Sequence, residues 1–527
     1  MLTGLRSVLS RSGRRTGLLV APLLVFAALA AWALSSPVGS SPDDDFHLTS
    51  IWCATGDSDY CAPSGDPGTR LVPPAIADPA CFAFDADKSA GCQDRIDFTA
   101  GATEETERGN FAGGYPVVYY GTMSLFVGPD VHASVLVMRL VNIALFVGLG
   151  IALYLLLPVN RRQILVWQWA LTTVPLGLFV LSSNNPSAWA LMGVGYGWLA
   201  LLGFYEARGR GRRVGLGALF LLTAVMASGS RSDATIYFAL AVATAVLLAA
   251  DRTRRFWTSS LLAVAGLAVC ALLFRASRSV DTVTGVLSEP LGLGVIIPRI
   301  AYNVVEVPSI WIGVFGRSWG LGWLDTSMPA LVWASGLAAF IGAGFVAARA
   351  SSLRKTVVLS LGATALVAIP VMLLVLAGKD VGEDVQPRYL LPLIIVFTGV
   401  ALFTLRGQRV DFTRAQVAVI VAALAGAQLI ALHLNIRRYV TGIDALSPSL
   451  DAGREWMMWG VSSNVTWILG TVCFSLALAI LLFGHRVTRE DSLATTTSAN
   501  DNSVSDHVAD DAELDNSGVT HGSPTLR

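Results

Sequence analysis

Residues 133–157 read ASVLVMRLVNIALFVGLGIALYLLL, an apolar run broken by a single charge, Arg139. As a helix rising 1.5 Å per residue, the run is long enough to cross a bilayer core, for which about 20 apolar residues suffice. Comparable runs lie at 17–35, 163–182, 187–205, 214–228, 235–250, 257–274, 329–348, 356–377, 387–404, 413–433 and 465–484. Together they predict about 12 transmembrane helices; the runs at 214–228 and 235–250 are short enough to be tilted or re-entrant. Uninterrupted apolar character excludes a β-barrel, whose strands alternate. The whole chain agrees. Of its 527 residues 54% are hydrophobic and 14% charged, with a mean hydropathy of +0.60, against about 25% charged in soluble domains. Net charge is zero, so no basic face is offered to a nucleic acid. The expected fold class is an all-α polytopic membrane protein in a lipid bilayer, which excludes a soluble enzyme, a nucleic-acid binder and a disordered scaffold.

Basic residues give an expected orientation. Arg11, Arg14 and Arg15 precede the first run, and Arg161 and Arg162 follow the second. Arg208, Arg210, Arg212 and Arg213 follow the fourth; Arg252, Arg254 and Arg255 the sixth; Arg349, Arg354 and Lys355 the eighth; Arg406 and Arg409 the tenth. Short cytoplasmic loops collect Lys and Arg, so both termini are expected in the cytoplasm of a multi-pass cell-membrane protein. The basic start, apolar run and Ser35-Ser36 have the look of a signal peptide. Cleavage there would break the alternation, so the first span is expected to stay.

One transmembrane domain, 1–485, then carries three extracytoplasmic segments at 36–131, 275–328 and 434–464. Residues 486–527, rich in Asp, Ser, Thr and Asn, are expected to form a disordered acidic cytoplasmic tail. Cys53, Cys61, Cys81 and Cys92 all fall in the first extracytoplasmic loop, where disulfides survive. Two disulfides are expected, and four cysteines leave three connectivities open. Cys270 and Cys473 lie in spans and read as apolar filler. Within the second segment, residues 292–316 are apolar but hold Pro298, Arg299, Asn303, Glu306 and Pro308. That pattern reads as helices lying at the surface rather than a further span.

Chemistry is expected at the outer face. Ser41-Pro42-Asp43-Asp44-Asp45-Phe46-His47 places three adjacent carboxylates just beyond the first span. Such neighbours raise one another's pKa, which suits a general base or a metal ligand; a solvated acidic turn is the competing reading. Tyr115, Tyr119 and Tyr120 precede the second span, where tyrosines also serve as interfacial anchors. Arg139 lies inside that span, and intramembrane charges point to function. Arg231, Arg317, Arg388, Arg437 and Arg438 lie outside against the positive-inside trend. Arginine is the residue for bidentate phosphate contact, so a lipid phosphate would account for them. Trp323 and Asp325, in a Gly- and Trp-rich turn from Phe315 to Thr326, suit a stacked sugar ring or an interfacial belt. No Walker loop, HExxH motif or zinc-ligand spacing occurs.

These elements together resemble the DUF2142 family of multispanning bacterial membrane proteins, whose members look like relatives of the GT-C glycosyltransferases. Pro42, Asp43, Asp44 and His47 resemble its Pro-Asp-Glu-x-x-His element, with Asp in place of Glu. Tyr115, Pro116, Tyr119 and Tyr120 are similar to Tyr-Pro-x-x-Tyr-Tyr, and Arg139, Leu140 and Asn142 to Arg-Leu-x-Asn. Phe315 through Thr326 resembles Phe-Gly-x-x-Gly-Trp-Leu-Asp-Thr with extra spacing, and Gln386 through Pro392 resembles Gln-Gly-Arg-Tyr-Leu-Leu-Pro with Pro387 for Gly. The resemblance covers most of 15–485, in order. It departs at Asn185-Pro186-Ser187, where Asn-Pro-Asp would be expected, and at the Cys-bearing insert after Thr49.

The resemblance implies a GT-C-like fold and an inverting transfer of sugar from a polyprenyl-phosphate donor to a cell-envelope acceptor outside the membrane. Asp43 is then the base, Asp44 orients the acceptor or supports a divalent cation, and His47 backs them. Arg388, Arg231 and Arg317, and more weakly Arg139, become phosphate partners, while Tyr115, Tyr119, Trp323 and Asp325 become sugar or acceptor contacts. No cofactor is implied with certainty. Two other classes compete. A flippase for lipid-linked glycans would need charged or broken helices at mid-membrane, and an assembly factor would depend on its cysteines but not on Asp43 and Asp44.

Overall fold

Long apolar runs satisfy their backbone groups internally only as helices, and the chain is accordingly mostly helical in its structure, a computed structural model. The structure describes residues 2–66, 68–277, 292–349, 351–405 and 409–485, with the backbone alone for 2–16, 18, 293 and 485. The acidic tail 486–527 and Arg406 lie outside the described residues.

Helix α1 spans Leu2–Leu34. The loop that follows carries α2 (Asp44–Trp52), α3 (Pro74–Ala77) and α4 (Val117–Met123). It also holds a small antiparallel sheet of three strands, β1 (Ala62–Pro63), β2 (Arg70–Val72) and β3 (Glu104–Thr106), in that order, an element the all-α expectation lacked. The bundle continues with α5 (Val131–Leu156), α6 (Arg162–Thr172), α7 (Leu176–Leu181), α8 (Ser187–Glu206), α9 (Arg210–Ser230), α10 (Ser232–Ala249) and α11 (Arg254–Ala276). It closes with α12 (Leu293–Gly313), α13 (Ala330–Ala348), α14 (Leu353–Leu376), α15 (Pro387–Ala401), α16 (Arg414–Val440) and α17 (Ser463–His485).

Among the described residues, ten of these helices are long and apolar enough to cross a membrane. Both runs read as short, in α9 and α10, are among them. Three expected spans fall short. The described apolar part of α1, Leu19–Leu34, and α15, with 15 residues, are too short to count among them. The run 163–182 is broken into α6 and α7 at Thr173–Pro175, because Pro175 has no N–H for the helix ladder and steers Val174 out of helical geometry. One helix joins instead. The segment 292–316, read as several surface helices, is one helix, α12, that qualifies by length and composition. Its polar residues meet the far end of α14: Arg299 pairs with Asp380 at 3.1 Å, and Asn303 donates to the Lys379 carbonyl at 3.2 Å. Deeper in, Trp311 donates to the Leu366 carbonyl at 3.3 Å.

The centre of the bundle is α8, almost wholly buried. Without a hydrophobic drive between helices in lipid, small residues allow the close approach that packing needs. A methyl at Gly193 would sit 2.7 Å from the Ala227 backbone nitrogen, so α8 and α9 touch backbone to backbone there. Basic clusters gather at the end of the bundle opposite the 36–131 loop. Arg161 pairs with Glu206 at 2.7 Å and donates to the Thr404 carbonyl at 2.8 Å. Arg255 donates to the Ala207 carbonyl at 2.6 Å and Arg354 to that of Leu248 at 3.2 Å.

In the loop the structure resolves the disulfide connectivity as Cys53–Cys61 and Cys81–Cys92. Mass spectrometry of a non-reduced digest should yield those two linked peptides; a Cys61–Cys81 peptide would overturn the pairing. The first bridge closes a loop of 8 residues, so the Cys53→Ser, Cys61→Ser double variant should lose about 2–3 kcal/mol of loop stability by chain entropy alone.

Candidate active site at the loop end of the bundle

The turn 41–44 starts α2 in an unusual way. Asp43 has φ +63, in the left-handed region, and caps no backbone N–H with its side chain. The backbone N–H of Ser41 instead donates to Asp44 Oδ2 at 3.0 Å, which turns the Asp44 carboxyl inward. The Asp43 carboxyl is thereby turned out. Two side chains from distant helices fix this turn through the Pro42 carbonyl: Arg388, at the start of α15, donates at 3.0 Å, and Asn185, just before α8, at 3.1 Å. Arg388 Nη2 also donates to Asp43 Oδ2 at 2.6 Å. The Arg388 side chain is only 3% exposed, whereas that of Asp43 is 41% exposed.

The three acidic positions therefore differ in kind. Partial burial pushes the Asp43 carboxyl up, but the Arg388 guanidinium and the charges of His47 and Arg108 outweigh it, and its pKa ends below the ordinary value. Asp44 is fully buried, and burial pushes it up to about 7 although Arg139 opposes. Its Oδ1 has no hydrogen-bond partner. Asp45 is held by Arg108, Nε at 2.7 Å and Nη2 at 3.1 Å, and the same Arg108 lies 3.8 Å from Asp43. His47 is buried behind them, its Nδ1 2.9 Å from the Tyr120 hydroxyl, and burial lowers its pKa to about 3. Only Asp43 of the expected trio of Asp43, Asp44 and His47 reaches the surface; the other two form its floor.

This floor has a measurable consequence. An acid raised on folding contributes stability that is complete below its ordinary value of 3.8 and lost as pH rises through about 7. A histidine lowered on folding does the opposite, losing stability as pH falls from 6.5 toward about 3. Between about 4 and 6.5 folding moves one charge pair to neutrality without net proton uptake, so the two slopes cancel. His47→Gln should leave a protein whose thermal midpoint falls from pH 4 to 7, and Asp44→Asn one whose midpoint falls from pH 6.5 to 4. Parallel pH profiles for the two variants would contradict the assignment.

Around Asp43 stand cationic and aromatic groups. Arg231 lies 4.4 Å over the Tyr389 ring and Arg388 5.2 Å from it, so one tyrosine touches both guanidinium groups. Arg231 is pinned by Asp233 at 2.9 and 3.0 Å. Ser187 accepts from Arg231 at 3.4 Å; the acid missing from Asn185-Pro186-Ser187 would have stood beside this arginine, where Asp233 now supplies the charge. Tyr115 packs on Phe46 and His47 at 5.3 and 5.7 Å. On the far side of Arg388, a recess lined by Leu176, Phe179 and Trp319 has room for about one water, at 10 Å³.

Residues 26–398 match the family described as predicted membrane protein (DUF2142), a span that holds Asp43, Arg231, Arg388 and Tyr115 alike. The chain belongs to the DUF2142 family. No curated protein and no solved structure matches it.

Other residues expected at the site of this DUF2142 protein have different work. Arg139 is fully buried and donates to the carbonyls of Ala33, Ser36 and Pro37 at 2.9, 2.5 and 2.6 Å and to the Ser40 hydroxyl at 3.2 Å. With both terminal nitrogens committed to that turn, it is a structural clasp and not a phosphate ligand. Tyr119 is buried against Asn142 and Trp189. Trp323 donates to the Gly39 carbonyl at 2.7 Å, and Asp325 pairs with the fully buried Arg438 at 2.8 Å. Arg438 in turn holds the carbonyls of Phe82 and Lys88, so Trp323 and Asp325 lock loops together and are not open to a sugar. Arg317 is exposed, lies 5.4 Å from the Trp333 ring and makes no hydrogen bond or ion pair with Asp43 or Arg388. Among the described residues no group of three or more His, Cys, Asp or Glu is placed to hold a metal ion. Sequence reasoning missed Arg108, an isolated arginine after an acidic strand that gives no pattern, and did not single out Tyr389, which its motif contained.

Proposed function

We propose that this DUF2142 protein is an inverting glycosyltransferase that takes sugar from a polyprenyl-phosphate donor. The observation that carries the proposal is the solvent-facing carboxylate of Asp43 beside two clamped arginines at one end of the membrane bundle. The opposite end collects the basic loops, which by the positive-inside rule faces the cytoplasm; the Asp43 end then faces outward. Its GT-C-like kinship rests on the sequence resemblance.

In the proposed step the acceptor hydroxyl oxygen attacks the anomeric carbon from the face opposite the phosphate. The carbon–oxygen bond to the phosphate breaks, and the polyprenyl phosphate leaves with the electron pair. The hydroxyl proton passes to Asp43, which must come within about 2.6–3.2 Å of that oxygen. Arg388 and Arg231 stabilise the leaving phosphate by their positive charge in a partly closed site, their forks being held in place by Pro42, Asp43, Asp233 and Ser187. Held ionised by Arg388, Asp43 is ready to accept the proton across the neutral pH range. Tyr115 and Arg108 border the open side and form the acceptor's approach.

Comparing cell-envelope glycans of a deletion strain with its parent by mass spectrometry tests this reading. Loss of one defined sugar supports it and names the donor. An unaltered glycan profile, with the lipid-linked precursors also unchanged, overturns it.

A further inference from the structure

At the end of the bundle remote from Asp43, the arginines fall into two groups. Arg161, Arg162, Arg255 and Arg354 spend their donors on carbonyls that end helices, or on Glu206. Arg208 and Arg210 do not: both are exposed and make no hydrogen bond or ion pair among the described residues. With Arg213 they line a recess of about 480 Å³ whose remaining walls are Phe204, Val214 and Gly217. Arg213 is already positioned, lying 4.6 Å from the Phe204 ring and donating to the Ser259 hydroxyl at 2.8 Å. The recess is thus amphipathic, with three guanidinium groups at the helix ends and an apolar floor running into α9.

We propose that this recess binds the headgroup of an anionic glycerophospholipid from the surrounding leaflet. The phosphate sits among Arg208, Arg210 and Arg213, and the glycerol and first acyl carbons lie along Val214 and Gly217. Charge complementarity favours an anionic over a zwitterionic lipid. The nearest acid in sequence, Glu206, is neutralised by Arg161 and offers no competing charge. The apolar floor favours a lipid over a free phosphate, since a soluble anion would leave Phe204 and Val214 uncovered. Basic pockets between helices at a cytoplasmic membrane surface capture such headgroups, each arginine strengthening the attraction.

The full chain in zwitterionic phosphatidylcholine nanodiscs, titrated with phosphatidylglycerol, tests the site through retained lipid in native mass spectrometry. The Arg208→Gln, Arg210→Gln double variant should bind phosphatidylglycerol on the order of 30-fold more weakly than wild type. Arg252→Gln, Arg254→Gln, which removes two exposed arginines from the same end but outside the recess, should bind as wild type does. Equal losses in the two double variants would reduce the effect to general surface charge and overturn the site. So would undiminished binding by the Arg208, Arg210 variant when its circular dichroism matches wild type. Competition by inorganic phosphate at concentrations matching the lipid would overturn the lipid as occupant.

Discussion

Asp43→Asn should cut sugar transfer by orders of magnitude while leaving the protein in the membrane at its normal level. Asparagine is the substitution to choose because, after glycine, it is among the residues that best tolerate a left-handed φ such as the +63 found here. Its side-chain oxygen still accepts from Arg388, so the turn and the clamp survive and only the proton acceptor is lost. General-base catalysis contributes roughly 10²–10⁴-fold, and transfer should fall by that factor. Asp43→Ala would confuse the result by adding backbone strain. The check is the envelope glycan profile of a deletion strain carrying each form, with membrane levels measured beside it. Full rescue by Asp43→Asn would remove the catalytic role and move the proposed function toward a flippase or an assembly factor.

Arg139→Leu should do the reverse, removing the protein itself. Its guanidinium ties the end of α1 to the turn that leads to Asp43, and the substitution strands three carbonyls in a site closed to water. Each unpaired buried acceptor costs about 1–3 kcal/mol, so the total is at least about 3 kcal/mol, a large share of the 5–15 kcal/mol typical of a folded protein. Arg139→Lys should recover little, because one ammonium cannot span acceptors that the planar fork reaches together. The measurement is protein level and thermal midpoint in detergent. A stable Arg139→Lys protein with impaired turnover would restore Arg139 to the list of substrate contacts.

Much of the architecture was legible because lipid imposes a crude rule: apolar length makes a helix. The rule failed where a single residue overrode it, at Pro175, and where polarity was averaged over a segment, in α12. The site was legible in composition but not in role. Asp43, Asp44 and Asp45 are chemically identical in the sequence. One is exposed and ionised, one buried and raised, and one tied to Arg108, and only the fold separates them. The arginines show the same limit. Arg139 read as a phosphate partner because it lies inside a span, and Arg438 because it stands outside against the charge trend, yet Arg139 is buried on backbone carbonyls and Arg438 on carbonyls and Asp325. A buried arginine satisfying a turn and an arginine awaiting an anion look alike until their acceptors are known. The tyrosines Tyr115 and Tyr119 differ in the same way, one bordering the open side and one closed in against Asn142 and Trp189.

The contacts of the 81–92 loop bear on how the protein is made. Arg438 grips Phe82 and Lys88, the Ile443 backbone N–H donates to the Ala86 carbonyl, and Ser89 hydrogen-bonds to Glu455. All three partners come from the last part of the chain, beyond the family match at residue 398. On the proposed orientation the loop crosses the membrane early in synthesis, so Cys81–Cys92 can oxidise before those partners emerge from the ribosome. Until they do, the loop is closed by its disulfide but lacks the contacts to Arg438, Ile443 and Glu455. A chain truncated after α15 should therefore insert and oxidise, yet be trapped at that stage and cleared by envelope proteases.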